Sequence, residues 1–252
     1  MSVPLTEIVD YLDRYLHVAD VPDDERAING LQVGNRGSVT RVVASVDACE
    51  ATITDAISRK ADLMVVHHGL FWGGLRPLTG VYGRRVRLLM EHSVALYASH
   101  LPLDCHLEVG NNALLARKLG LRDLVPFGTF EGTQIGFWGA IDEGRDALVT
   151  RLQEIVGGTP RVVPAGPIRL AKVGVVTGAG TSALTEAVEL GLDTLITGEG
   201  PHHSFLEAEE LGVNVVYGGH YATETFGVRA LAAHVGQRFN LPWDFSDHPT
   251  GM

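Results

Sequence analysis

Val42–Gly69, VVASVDACEATITDAISRKADLMVVHHG, contains the pattern that decides the fold. Val42–Val46 reads as a strand, Cys49–Arg59 as a helix and Leu63–Val66 as a second strand that runs into His67, His68 and Gly69. Strands alternating with short helices predict an α/β fold with a largely parallel sheet. The unbroken apolar runs fit strands covered on both faces. The same stretch slides without a gap onto Val173–Gly200, VGVVTGAGTSALTEAVELGLDTLITGEG. Six of the 28 positions are identical, TDAI answers TEAV, and Asp62 answers Asp193. Farther on, VALYASHLPLD (Val94–Asp104), which opens with a strand over Val94–Tyr97, resembles NVVYGGHYATE (Asn214–Glu224).

The repeat predicts two related α/β lobes with mostly parallel sheets. The expected first lobe covers residues 1–125 and is completed by 215–252; the second covers 126–214, with a boundary near Pro126. Around the repeat, Leu5–Leu16 has apolar residues at helical spacing, and NGLQVG (Asn29–Gly34) reads as a turn entering a short strand. Phe127–Val163 has short aromatic-containing runs and a helical stretch over Ala147–Val156. The tail, LPWDFSDHPTGM, reads as strand or coil with a loose end.

The chain has 252 residues, 45% of them hydrophobic, enough for one large domain or two lobes. No apolar segment approaches the ~20 residues of a membrane helix, and the acidic N-terminus does not resemble a signal peptide. Two cysteines, Cys49 and Cys105, are too few for a disulfide framework. A cytoplasmic protein with reduced thiols is expected. The net charge of -10 disfavours nucleic acid as a partner. Arg84, Arg85 and Arg87 are the candidates for a local basic rim.

The 11 histidines are the first pointer to metal. His67 and His68 follow a strand at the edge where parallel α/β sheets gather their sites, and Gly69 lets the chain turn away. Neighbours on a strand face opposite ways, so each imidazole is expected to serve a different ion. In GGHYATE, His220 and Glu224 stand four apart, one face of a helical turn, although a helix starting only at Thr223 would leave His220 on the approach. Asp104 follows another strand end and is expected where Glu224 stands in the repeat; a turn or capping aspartate is its alternative.

Together His67, His68, Asp104, His220 and Glu224 form a mixed nitrogen and oxygen set suited to zinc, iron(II) or manganese. Five ligands serve two divalent ions only if a carboxylate bridges, and Glu224 has the longer reach. Such a centre is locally cationic in an acidic protein. His100, four before Asp104, is a candidate proton donor to the reaction or else a structural hydrogen-bond partner. Glu199 occupies the place of His68 in the repeat and is a candidate to support a ligand; His202 and His203 are expected at a helix start. GAGTS (Gly178–Ser182) lacks the lysine of a phosphate-binding loop and reads as a tight turn.

VHHGLFW, SHLPLD, GNNALLA (Gly110–Ala116), TGEG and GGHYATE occur in the order of the GTP cyclohydrolase 1 type 2-like family, also called Nif-three-like, and the chain resembles it nearly end to end. The resemblance implies a two-lobed fold, two divalent metal ions per chain, and a toroidal homohexamer whose sites face an inner cavity. His67, His68, Asp104, His220 and Glu224 fall on the family's ligand positions. It implies that His68 and Asp104 hold one ion, His67 and His220 the other, with Glu224 between. The expected activity is a metal-dependent hydrolase acting on a nucleotide or related small molecule; the alternative is a metal-binding, trafficking or regulatory protein without turnover.

Overall fold

A computed structural model describes residues 2–72, 74 and 76–252. The chain divides into two compact units, residues 1–103 with 227–248, and residues 104–226 with 249–252. Apart from residues 249–252, the second unit is therefore inserted into the sequence of the first. Among the described residues no helix is long and apolar enough to cross a membrane.

The first unit starts with β1 (Val3–Pro4), α1 (Leu5–Tyr15), β2 (Gly30–Val33), β3 (Ser38–Val39), β4 (Val42–Asp47) and α2 (Glu50–Ser58). It continues through β5 (Leu63–His68), α3 (Gly80–Glu91) and β6 (Ala95–Ala98) to the short α4 (Leu101–Asp104), in which the units divide. The second unit comprises α5 (Asn111–Lys118), β7 (Arg122–Phe130), β8 (Thr133–Gly144), α6 (Arg145–Val156), β9 (Arg161–Val163) and β10 (Arg169–Val176). It is completed by α7 (Leu184–Glu189), β11 (Thr194–Thr197), α8 (His202–Leu211), β12 (Asn214–Tyr217) and the one-turn α9 (His220–Thr223). The division falls again inside α10 (Thr225–Phe239), which leads to β13 (Trp243–Phe245).

Besides the small antiparallel pair β1-β3, two larger sheets are each parallel at their centres. The first has the order β13-β4-β5-β6-β2, parallel except for β2 against β6. The second has the order β7-β8-β10-β11-β12-β9, with β10, β11 and β12 parallel and the others antiparallel at the edges. The apolar runs read as two-faced strands are so: the side chains of Val42–Val46 and Leu63–Val66 are buried without exception. α1 buries Leu5, Ile8 and Leu12 in its unit, each such side chain worth about 2 kcal/mol removed from water. In the second unit two separate cores cover the sheet, one around Leu115, Leu148 and Val175, the other around Phe127, Leu184 and Val215.

The internal repeat is visible in the ladders. Val42 pairs with Leu63, and Val173 with Thr194, in one register separated by the offset of the gapless alignment. Asp62 and Asp193 do the same work in each copy. Asp62 Oδ2 accepts from the backbone N–H of Thr40 at 2.6 Å, and Asp193 Oδ2 accepts from those of Ala171 and Lys172 at 2.6 and 2.8 Å. Each carboxylate thus closes the crossover onto the start of the preceding strand.

The other half of the repeat needs a correction. Leu63 pairs with Ala95 and Thr194 with Asn214, so Ala95 answers Asn214, one residue out of step with the alignment of Val94 to Asn214. Asp104 consequently matches Thr223, the last residue of α9, and not Glu224. Similar composition on both strands hid the slip. At GGHYATE the helical turn starts at His220, which opens α9, and not at Thr223; the chain breaks at Glu224 before α10.

Removing the double acceptor in Asp193→Ala is expected to cost about 2 kcal/mol of stability, because two backbone donors lose a charged partner. Asp193→Asn, which keeps one acceptor oxygen, should lose less. Urea denaturation midpoints for the two variants check the order.

Candidate metal centre

β5 carries its two histidines as the last residues of the strand, not after it. His67 is fully buried and His68 half-buried, as strand alternation requires, yet their ring centroids are only 4.7 Å apart. His68 is still paired with Asp47 in the ladder, so the two rings come this close although their residues alternate along the strand. His100, just beyond β6, joins them: its ring lies 5.0 Å from that of His67. His67, His68 and His100 offer ring nitrogens within 4.8 Å of one another, a group able to hold a metal ion.

Each ring is oriented from behind. His67 Nδ1 lies 3.0 Å from the carbonyl oxygen of Ser99, His68 Nδ1 2.9 Å from Asp47 Oδ1, and His100 Nδ1 2.8 Å from Asp23 Oδ1. These partners only accept, so the proton sits on Nδ1 and the Nε2 lone pair points away from it. Asp23 also accepts from the amide of Asn29 at 2.8 Å and the Leu101 N–H at 3.1 Å. Burial pushes the Asp23 carboxyl up, but His100 and these donors outweigh it and hold the group below the usual aspartate value.

NGLQVG explains itself here. Asn29 Oδ1 accepts from the His100 N–H at 2.7 Å, while Gln32 Oε1 accepts from Leu70 and Phe71 at 2.8 and 3.2 Å. The motif holds the two loops that follow His68 and precede α4. A β-carbon at Gly69 would overlap the Gln32 amide, so a larger residue there would have to push aside the side chain that holds Leu70 and Phe71.

In the second unit, His220 and Glu224 meet as their spacing predicts, with His220 Nε2 3.1 Å from Glu224 Oε2. Glu199, the repeat counterpart of His68, accepts from His220 Nδ1 at 2.8 Å and orients it in the way the other rings are oriented. Glu224 is 3% exposed. The room it occupies exists because residue 178 is glycine: a β-carbon there would overlap Glu224 Oε1, and the backbone has φ of +65°, which favours glycine. Thr223 Oγ1 receives the Gly178 N–H at 3.2 Å, so GAGTS serves as a tight strand-to-helix turn packed on the site. Asp104 is buried and its Oδ1 accepts from Asn111 at 2.9 Å, which gives GNNALLA its part: the first asparagine sets the carboxylate. Its neighbour Asn112 bridges the Ile135 carbonyl and the Thr177 N–H.

Glu224, assisted by Glu199, raises the His220 imidazole to about 9 against the opposing effect of burial. The ion-free ring is a cation at neutral pH, clamped between two carboxylates. The donor chemistry in each unit fits a divalent ion. Imidazoles are presented through Nε2 with Nδ1 committed, the arrangement that metal-ligating histidines take, and the glycine cradle shapes space for a carboxylate. His202 and His203 open α8 as expected, and both are exposed.

Sequence reasoning missed Asp23, Asp47, Asn29, Gln32 and Asn111. Asp47 was within reach: it ends an apolar strand in register with His68. Asp23 carried no local signal, since it lies 77 residues from the ring it holds.

The family model described as Duf34/NIF3 (NGG1p interacting factor 3) matches residues 3–250. A protein from Deinococcus radiodurans named "GTP cyclohydrolase 1 type 2 homolog" is 44% identical over 248 residues, covering 98% of this chain and 94% of its own. One of the same name from Halobacterium salinarum is 46% identical over 255 residues, covering 98% and 100%. The crystal structure of TTHA1606 from Thermus thermophilus superposes with a TM-score of 0.92 at 44% identity, covering 99% of this chain and 100% of that one. With the match running almost from end to end, the chain belongs to the Duf34/NIF3 family.

Proposed function

We propose that the protein binds two divalent metal ions, zinc, iron or manganese, through His67, His68, Asp104, His220 and Glu224, and that it is a metal-dependent hydrolase of a nucleotide or related small molecule. The observation that carries the reading is shared by both units: His67, His68 and His220 each commit Nδ1 to a fixed acceptor, which leaves Nε2 for the site, in His220 turned onto the Glu224 carboxylate. Structural histidines have no need of that uniformity. When bound, two ions supply Lewis acidity and a water acidified toward neutral pH.

The chain's own residues supply the rest. Glu224, for which the Gly178 cradle makes room, would supply the carboxylate shared between the two ions. Asp104 adds charge from a buried position set by Asn111. His100, held at Nδ1 by Asp23, can accept a proton from water at Nε2 and then hand it on to a leaving group. The name borne by the curated relatives agrees with hydrolysis of a nucleotide, and it is in their name only that a substrate appears.

Elemental analysis of protein purified without added metal is expected to give about two ions per chain, as a dinuclear hydrolase requires. Glu224→Ala should lose at least one of them, and with it turnover on a panel of nucleotides and phosphoesters. Metal retained by the wild type without turnover on any of them would favour the binding or trafficking role.

The His220 pKa sets the pH dependence. The ion must displace a proton below about 9, so metal affinity should rise about tenfold per pH unit from 7 toward 9 and then level off. Titration calorimetry in two buffers of different ionisation enthalpy, at pH 7.5, should show about one proton released by His220. The same reasoning gives the metal-free protein a stabilising His220–Glu224 pair that is fully present below the unfolded histidine value of 6.5 and is lost as pH rises through about 9. The proposal includes the toroidal hexamer, for which light scattering should return six times the 27.1 kDa chain mass.

A further inference from the structure

A cavity of about 420 Å³ opens in the second unit beside Glu199, lined also by Arg161, His202, Phe205, Leu206 and Tyr217. Its volume lies in the range of small-molecule sites. Glu199 is at once a wall of the cavity and the acceptor that orients His220, so an occupant would lie one side chain away from the proposed metal ligand.

The lining is built and not incidental. Arg161 and Tyr217 are directly opposed on the antiparallel pair of β9 and β12, which puts both side chains on one face of the sheet. The Tyr217 hydroxyl shares a 2.8 Å hydrogen bond with Ser204 Oγ, and Ser204 donates to the Pro201 carbonyl at 2.7 Å. The ring is therefore fixed in place. A β-carbon at Gly200 would come within 2.9 Å of the Tyr217 ring, so glycine there lets the loop pass without displacing it. The Arg161 guanidinium stands 5.8 Å from the centre of the Phe205 ring. Among the described residues no carboxylate forms an ion pair with Arg161, in a chain whose net charge is -10.

We propose that this cavity binds a small planar aromatic anion, with its ring against Phe205 and Tyr217 and its carboxylate or phosphate on Arg161. Aromatic faces select a flat ring, and a guanidinium held over one of them offers two parallel donors to an anion. That this ligand is the reactant of the metal centre rests on the function proposed above; that it binds does not.

The test uses 2-naphthoate and 1-naphthyl phosphate as probes, with cyclohexanecarboxylate and 2-naphthamide as controls. Binding is followed by calorimetry on the full chain, both treated with chelator and loaded with zinc. Saturable binding of at least one anionic probe, tenfold or more tighter than either control and weakened tenfold or more in Arg161→Gln and in Phe205→Leu, is the expected result. It should be seen in chelator-treated protein as well. The proposal is overturned if neither anionic probe saturates the wild type, if the controls bind as tightly, or if Arg161→Gln, folded by circular dichroism, binds as the wild type does. Zinc stoichiometry measured on the same samples separates the two claims: a chain that takes up no zinc but binds the probe loses the metal reading and keeps the cavity.

Discussion

The site depends on the register of a sheet. Asp47 and His68 are paired residues on neighbouring parallel strands, and that pairing puts a carboxylate behind the imidazole. A slip of one residue between β4 and β5 would take Asp47 out of line with His68 and remove the carboxylate from behind the ring. The apolar runs that bury Val42–Val46 and Leu63–Val66 make such a slip costly. Packing far from the chemistry therefore sets the direction in which a ring nitrogen points. The same logic holds for His67, whose acceptor is a backbone carbonyl at the end of the adjacent β6.

Two motifs that look like turns turn out to be braces. NGLQVG supplies an asparagine and a glutamine to the loops after β6 and β5, and GNNALLA supplies two buried asparagines, one to Asp104 and one across to β8 and the residue that follows β10. Each buried amide is matched by backbone or carboxylate partners, as its burial demands. The ligand-bearing segments lie at strand ends, where ladder bonds stop, and side-chain amides replace them. Rigidity near the candidate centre thus comes from amides and carboxylates acting together.

The α/β class and the two related lobes were legible because both signals are local: apolar runs of strand length and a gapless repeat. His220 with Glu224 was legible for the same reason, being one helical turn. The partners behind the rings were not, because Asp23 and His100 are joined only by the fold. The misplacement of Asp104 against Glu224 has a physical origin too. A repeat read from residue types has no access to strand register, and β6 and β12 are alike enough in composition to tolerate a shift of one. Ideal strand geometry puts His67 and His68 on diverging faces, and the end of β5 departs from it.

The first sheet closes with β13, a strand from the far end of the sequence lying parallel to β4. On the ribosome, β4 emerges some two hundred residues before the partner that covers its edge. In the interval the inserted unit has all of its strands, while the outer one waits with an unpaired flank of valines open to other chains. Vectorial synthesis therefore imposes an order: every strand of the inserted unit is made before β13 can close the sheet of the flanking unit.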